Sequence, residues 1–228
     1  MSTSGPPGYQ SRPAISTDGG GGFVVAWEHA SGSYGVYARR FDANGAPLGP
    51  DFKVNAHDPW GANPQSSLSS PSVAAAKDGS FVVAWQAWYN DGQDFNVLAR
   101  MYDAAGAENG REFRVNSWTT SAQTEPEVAM DAQGNFVVVW ADRKEGGSLY
   151  EVWGRVYERS GTVPGSEFQV NNYTTKIQTP FDVAWDNEGR LIVGWLSNTF
   201  NVYESGNGVF ARRFAPDLIF EDGFASVD

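Results

Sequence analysis

The chain has 228 residues, a formal net charge of −11, no cysteine and nine tryptophans. That length is enough to bury a substantial core within one domain. The negative charge repels phosphate backbones and anionic lipid surfaces, which argues against a nucleic-acid partner, and the missing cysteines exclude disulfides, a thiolate nucleophile and thiolate-held metal. Apolar runs fall far short of the roughly 20 residues a spanning helix requires, so no membrane insertion is expected.

Residues 1–10, MSTSGPPGYQ, have neither a basic start nor an apolar stretch, and read as a disordered or linker N-terminus. The first patterned unit then opens with Pro13-Ala14-Ile15, a proline suited to the first residue of a strand. An Asp18-Gly19 turn follows, and Asp, Asn and Gly favour hairpins because they tolerate the left-handed backbone. Next comes Phe23-Val24-Val25-Ala26-Trp27, apolar at every position, as expected of a strand covered on both faces. A polar loop, a strand from Val36 to Phe41, a turn at Asp42-Ala43-Asn44-Gly45 and a short strand Phe52-Lys53-Val54-Asn55 complete the unit.

The same grammar returns three times. The apolar pentad recurs as Phe81–Trp85, Phe136–Trp140 and Leu191–Trp195, so its tryptophans stand 55 to 58 residues apart. Openings recur at Pro71, Pro126 and Pro180, turns at Asp78, Asp131 and Asp186, third strands at Val97, Val152 and Val209, and fourth strands at Phe113 and Phe168. A period of this size signals a repeat architecture. Four antiparallel strands per unit without a helical period predict an all-β fold, a β-propeller of four blades with four strands each. A half ring completed by a second copy, or a stack of hairpin repeats, shares that period. The blades are placed at 11–58, 69–118, 124–173 and 178–224 of a single repeat domain. The last one lacks the Phe-x-Val-Asn strand, and Leu218–Phe220 is its shortened replacement.

The unit P-x-V-A-x-D-x-x-G-x-F-V-V-x-W, followed by V-x-A-R-x-(F/Y)-D-A-x-G and E-F-x-V-N, resembles tandem repeats of large secreted bacterial proteins of mostly unassigned function. Its D-x-x-G hairpin is loosely similar to propeller repeats of the NHL type. Ile219–Phe224, I-F-x-D-G-F, is similar to a tail of exported gamma-proteobacterial proteins. These resemblances imply an extracellular or cell-surface bacterial protein whose signal peptide has been removed. They carry architecture and assign no catalytic residue.

In such a blade the tight Asp/Gly turns share one face, and the long variable loops share the other. Function is expected on the variable face. Its candidate ligand-binding residues are Trp60, Trp88, Tyr89, Asn90, Asp91, Asp94, Trp118, Tyr150, Tyr173, Phe200 and Tyr203. Flat rings take the apolar face of a sugar while amides and carboxylates bind hydroxyls, so the first reading is a non-catalytic, lectin-like or adhesive protein with a glycan or cell-surface polysaccharide partner. A self-assembling protein-interaction module, forming a homo-oligomer, is the second. A glycan-active hydrolase or lyase using loop carboxylates among Asp91, Asp94, Asp142, Glu145 and Glu204 is the third.

Arg39, Arg100, Arg155 and Arg212 recur at one position, as do Asp51, Glu112 and Glu167, and in-blade ion pairs are expected between them. The two histidines, His29 and His57, read as surface residues, and no metal or cofactor is expected. There is no G-x-S-x-G elbow, phosphate-binding glycine loop or HExxH.

Overall fold

The computed structural model describes residues 9–30, 35–56, 67–88, 94–143, 149–172, 176–198 and 208–215. Among these, every regular element is a strand. The first sheet is β1 (Gln10–Thr17), β2 (Phe23–His29), β3 (Gly35–Phe41) and β4 (Phe52–Lys53). The second is β5 (Ser67–Ala75), β6 (Phe81–Trp88), β7 (Asn96–Tyr102) and β8 (Phe113–Arg114). The third is β9 (Gln123–Met130), β10 (Phe136–Arg143), β11 (Tyr150–Tyr157) and β12 (Phe168–Gln169). The fourth is β13 (Ile177–Trp185), β14 (Leu191–Asn198) and β15 (Gly208–Phe214). Each sheet is an antiparallel meander in chain order, so every repeat is one blade of a propeller-like arrangement. The expected strand at Leu218–Phe220 lies outside the described residues.

The pentad strands lie mid-blade, and their tryptophans are core: Trp85 and Trp140 are fully buried, Trp27 and Trp195 nearly so. Side chains alternate between the two faces of each blade. Val24, Ala26 and Val36 of blade 1 pack with Val83 and Trp85 of blade 2, while Val82 and Val97 meet Phe136 and Trp140 of blade 3. Val137, Val139 and Val152 in turn meet Leu191, Val193 and Trp195 of blade 4. Hence β6 and β10 are buried on both faces, whereas β14 alternates buried with half-buried residues.

The outer strands are shorter than the expected Phe-x-Val-Asn: each is two residues long, and the asparagine two positions beyond it has a physical role. The Oδ1 atoms of Asn55, Asn116 and Asn171 accept hydrogen bonds from the backbone N–H of Val36, Val97 and Val152 at 2.9, 2.8 and 2.7 Å. Each side chain thereby pairs a buried donor beyond the end of the ladder. The expected in-blade ion pairs form as Arg39–Asp51 at 3.2 Å, Arg100–Glu112 at 3.9 Å and Arg155–Glu167 at 3.7 Å. Arg212 instead donates to the Val170 carbonyl of blade 3 at 3.0 Å, as Arg155 donates to the Val115 carbonyl of blade 2 at 2.7 Å.

Two expectations are corrected. Pro13, Pro71 and Pro126 do not begin their strands; each lies inside β1, β5 or β9, in a β-bulge where two residues oppose the pentad tryptophan. A bulge is one of the few strand positions that tolerates a missing N–H donor. His29 is not a surface residue: it is 1% exposed and lies edge-on to Tyr37 at 5.3 Å, because it ends β2 beneath the ring of the paired strand. His57 lies outside the described residues.

Candidate functional site in the central cavity

The first strand of every blade, β1, β5, β9 and β13, lines one cavity of about 800 Å3. Its wall carries the bulges. The first bulge residues of three blades, Arg12, Ser70 and Glu125, have φ of 50°, 52° and 52°. Left-handed backbone costs a non-glycine residue of order 1–3 kcal/mol and persists only where the surroundings enforce it. In blade 4 the bulge begins with Pro180, whose ring cannot adopt positive φ, and Phe181 is the extra residue there, 75% exposed.

Immediately beyond the bulge, one register position is filled by Ala14, Ser72, Glu127 and Asp182, paired with Ala26, Ala84, Val139 and Gly194. Two of the four repeats thus replace a small residue with a carboxylate on the cavity wall. The Ser72 hydroxyl donates to Glu127 Oε2 at 2.9 Å and itself accepts the backbone N–H of Val128 at 3.1 Å. Burial raises the Glu127 pKa to about 7, the charges of Asp182 and Glu125 push it the same way, and the Ser72 hydrogen bond opposes them. Around neutral pH the Glu127 carboxyl therefore exchanges a proton. Arg12 is the cation of this wall: it donates to Ser70 Oγ at 2.5 Å and lies 3.6 Å from Glu28, whose own pKa is raised by burial.

None of the described loop candidates lines this cavity. Trp88 ends β6, half-buried, with its ring 6.3 Å from Phe95. Asp94 caps the Phe95 N–H at 2.9 Å and pairs with Arg143 at 2.9 Å. Tyr150 opens β11 opposite Arg143, so these residues gather at one end of blades 2 and 3. Trp118 is 63% exposed, and its carbonyl accepts a hydrogen bond from Asn116 Nδ2 at 2.5 Å. Trp60, Tyr89, Asn90, Asp91, Tyr173, Phe200 and Tyr203 lie outside the described residues. Of the loop carboxylates, Asp94 is tied up by Arg143, and Asp142 is buried, accepting from Gln123 Nε2 at 3.1 Å. Glu145 and Glu204 fall outside the described residues.

Glu125, Glu127 and Asp182 were not among the sequence candidates. The signal that marks two of them is the acid at a position where the other repeats keep Ala14 and Ser72.

No protein-family model matches the sequence, and no curated protein is similar to it. Solved structures are similar in fold. A "Hadza microbial sialidase" superposes with a TM-score of 0.65 at 13% identity over 93% of this chain and 45% of its own. A protein of unknown function from Dyadobacter fermentans gives 0.62 at 10% identity, over 90% of this chain and 65% of its own. An α-L-arabinanase of Penicillium chrysogenum, solved with arabinobiose, gives 0.59 at 14% identity, over 90% of this chain and 62% of its own. This chain thus spans less than two thirds of each. The likeness shows a propeller-like all-β fold. The expectation of a non-catalytic, lectin-like or adhesive protein is corrected: the superposing structures named above for an activity are a sialidase and an arabinanase, and the cavity is walled by Glu125, Glu127 and Asp182 with none of the described loop aromatics.

Proposed function

We propose that this chain carries the active site of a glycoside hydrolase, in the cavity between the first strands of its blades. One observation carries the reading: a cavity-wall carboxyl, Glu127, with its pKa raised to about 7 beside the carboxylates of Asp182 and Glu125. Glycoside hydrolysis uses two carboxyl groups in opposite protonation states. Glu127 is the acid, donating its proton to the glycosidic oxygen as the bond to the anomeric carbon breaks. A charged neighbour either attacks that carbon or takes a proton from the water that does; the separation of the two carboxyls decides which. Water is consumed, the leaving sugar gains a hydroxyl, and Glu127 recovers its proton.

The likeness to a sialidase and an arabinanase supports a glycan partner. The repeat pattern supports an exported bacterial protein, and four repeats of one grammar support four blades of four strands. The test is reducing-sugar release and aryl-glycoside cleavage across furanosides, pyranosides and sialosides, with wild type beside Glu127→Gln. Cleavage by wild type and its loss in the variant support the proposal. Absence of cleavage across the panel, or full activity in the variant, overturns it.

A further inference from the structure

Both ends of the blade series are uncovered at positions that every internal interface buries. Ile15, Val73, Val128 and Val183 share one register position, opposite Val25, Val83, Val138 and Val193. The last three are 6–7% exposed, because each packs on the preceding blade, whereas Ile15 is 63% exposed. The opposite face repeats the contrast. Val36, Val97 and Val152 are 0% exposed and pack on the following blade, and their blade 4 equivalent, Val209, is 81% exposed. Ala211 is exposed where Ala38 and Ala99 are 0% exposed. Close packing runs β1 on β5, β5 on β9 and β9 on β13, and β13 on β1 is not among these pairs.

Repeat arrays that end in solvent need terminal units with a polar outer face. Here the end blades keep the aliphatic residues of an internal interface. The inter-blade polar contacts differ at blade 1 as well. In blades 2 and 3 the fourth-strand acid accepts a backbone N–H from the preceding blade: Glu112 from Ala56 at 2.7 Å, and Glu167 from Ser117. The blade 1 equivalent, Asp51, is 8% exposed in its side chain and is held by Arg39 at 3.2 Å, with no inter-blade backbone N–H bonded to it among the described residues.

We infer that blade 4 of one copy of this chain docks on blade 1 of a second copy, head to tail, repeating the interface the chain already makes three times between its own blades. Among the described residues the uncovered faces carry the first-strand and third-strand positions of that interface, so a second copy covers Ile15 on one side and Val209 and Ala211 on the other. A heterologous contact of this kind closes into a ring or continues as a filament.

The full chain is weighed by light scattering across a concentration series, alone and as Ile15→Glu and Val209→Glu. Both substitutions fall on exposed positions, and near-ultraviolet circular dichroism checks the fold. The expected result is a species at least twice the 24.8 kDa chain mass for wild type, with the chain mass for each variant. Mixing the two variants restores a dimer, since one interface between them is intact. As a second measurement, the cysteine-free chain allows Ile15→Cys with Val209→Cys, which cross-links between copies on oxidation while neither single variant does. A wild type that stays at the chain mass, an oligomer indifferent to both glutamates, or cross-linking by a single variant with itself overturns the inference.

Discussion

The hydroxyl of Ser72 on β5 donates to Glu127 Oε2 on β9 across the boundary between blades 2 and 3, at 2.9 Å, on the wall of the central cavity. Two residues of one repeat position, in neighbouring repeats, thus form the polar contact at the acid. Removing the acid while keeping its shape tests it directly. Glu127→Gln keeps the acceptor for Ser72 and loses the proton, so glycan cleavage is expected to fall about 100- to 10,000-fold with the circular dichroism unchanged. Ser72→Ala leaves the proton but removes a hydrogen bond that favours the charged form. The alkaline limb of the kcat/KM profile is therefore expected at higher pH in Ser72→Ala than in wild type, a shift that a merely structural serine does not produce.

Stability carries the same signature. Glu127 titrates at about 7 when folded, against a reference of 4.5, so between those values the folded chain holds a proton that the unfolded chain has released. Stability contributed at this site is present below pH 4.5 and is lost as the pH rises through 7. The full shift corresponds to roughly 3 kcal/mol as an upper bound. Urea midpoints at pH 5 and pH 8 are expected to show Glu127→Gln gaining on wild type at the higher pH. Parallel pH dependences in the two proteins refute the assignment.

Asn116 is 1% exposed: its Oδ1 accepts the Val97 N–H, and Asn96 Oδ1, the Trp118 carbonyl and Gln123 Oε1 share the two hydrogens of its Nδ2, all within 3.0 Å. Asn116→Ala orphans a buried backbone donor and several acceptors. A loss of about 2–4 kcal/mol is expected in chemical denaturation, against about 1 kcal/mol or less for exposed Asn44→Ala.

The tryptophans divide by role. Trp85→Ala, at 0% exposure, is expected to cost about 3–5 kcal/mol through lost transfer energy and the cavity left behind. Trp118→Ala, at 63% exposure, is expected to leave the melting temperature unchanged within error. Equal losses refute the division.

The pentads and the turns were legible because each is a local rule repeated: period and left-handed turn chemistry. The bulges were not. Pro13, Pro71 and Pro126 looked like strand starts, since nothing in a single unit shows that two residues there face one tryptophan. The acids escaped for a related reason. Glu127 stands in the run Pro126-Glu127-Val128-Ala129 and reads as the wet side of an inner strand. Only the superposition of four blades around one cavity shows that this side faces inward, where desolvation and like charge shift its titration. Residue type alone marks surface aromatics such as Trp118 and passes over a carboxylate defined by its surroundings.

The register position shared by Ala14, Ser72, Glu127 and Asp182 has a practical meaning. The molecule holds its own substitution series, with a methyl, a hydroxyl and two acids mounted on the same backbone and read out in one chain. Glu127→Ser writes blade 2 into blade 3, and Ser72→Glu writes blade 3 into blade 2. One edit removes the acid from the cavity wall, and the other sets a second carboxylate against Glu127 at the same register position.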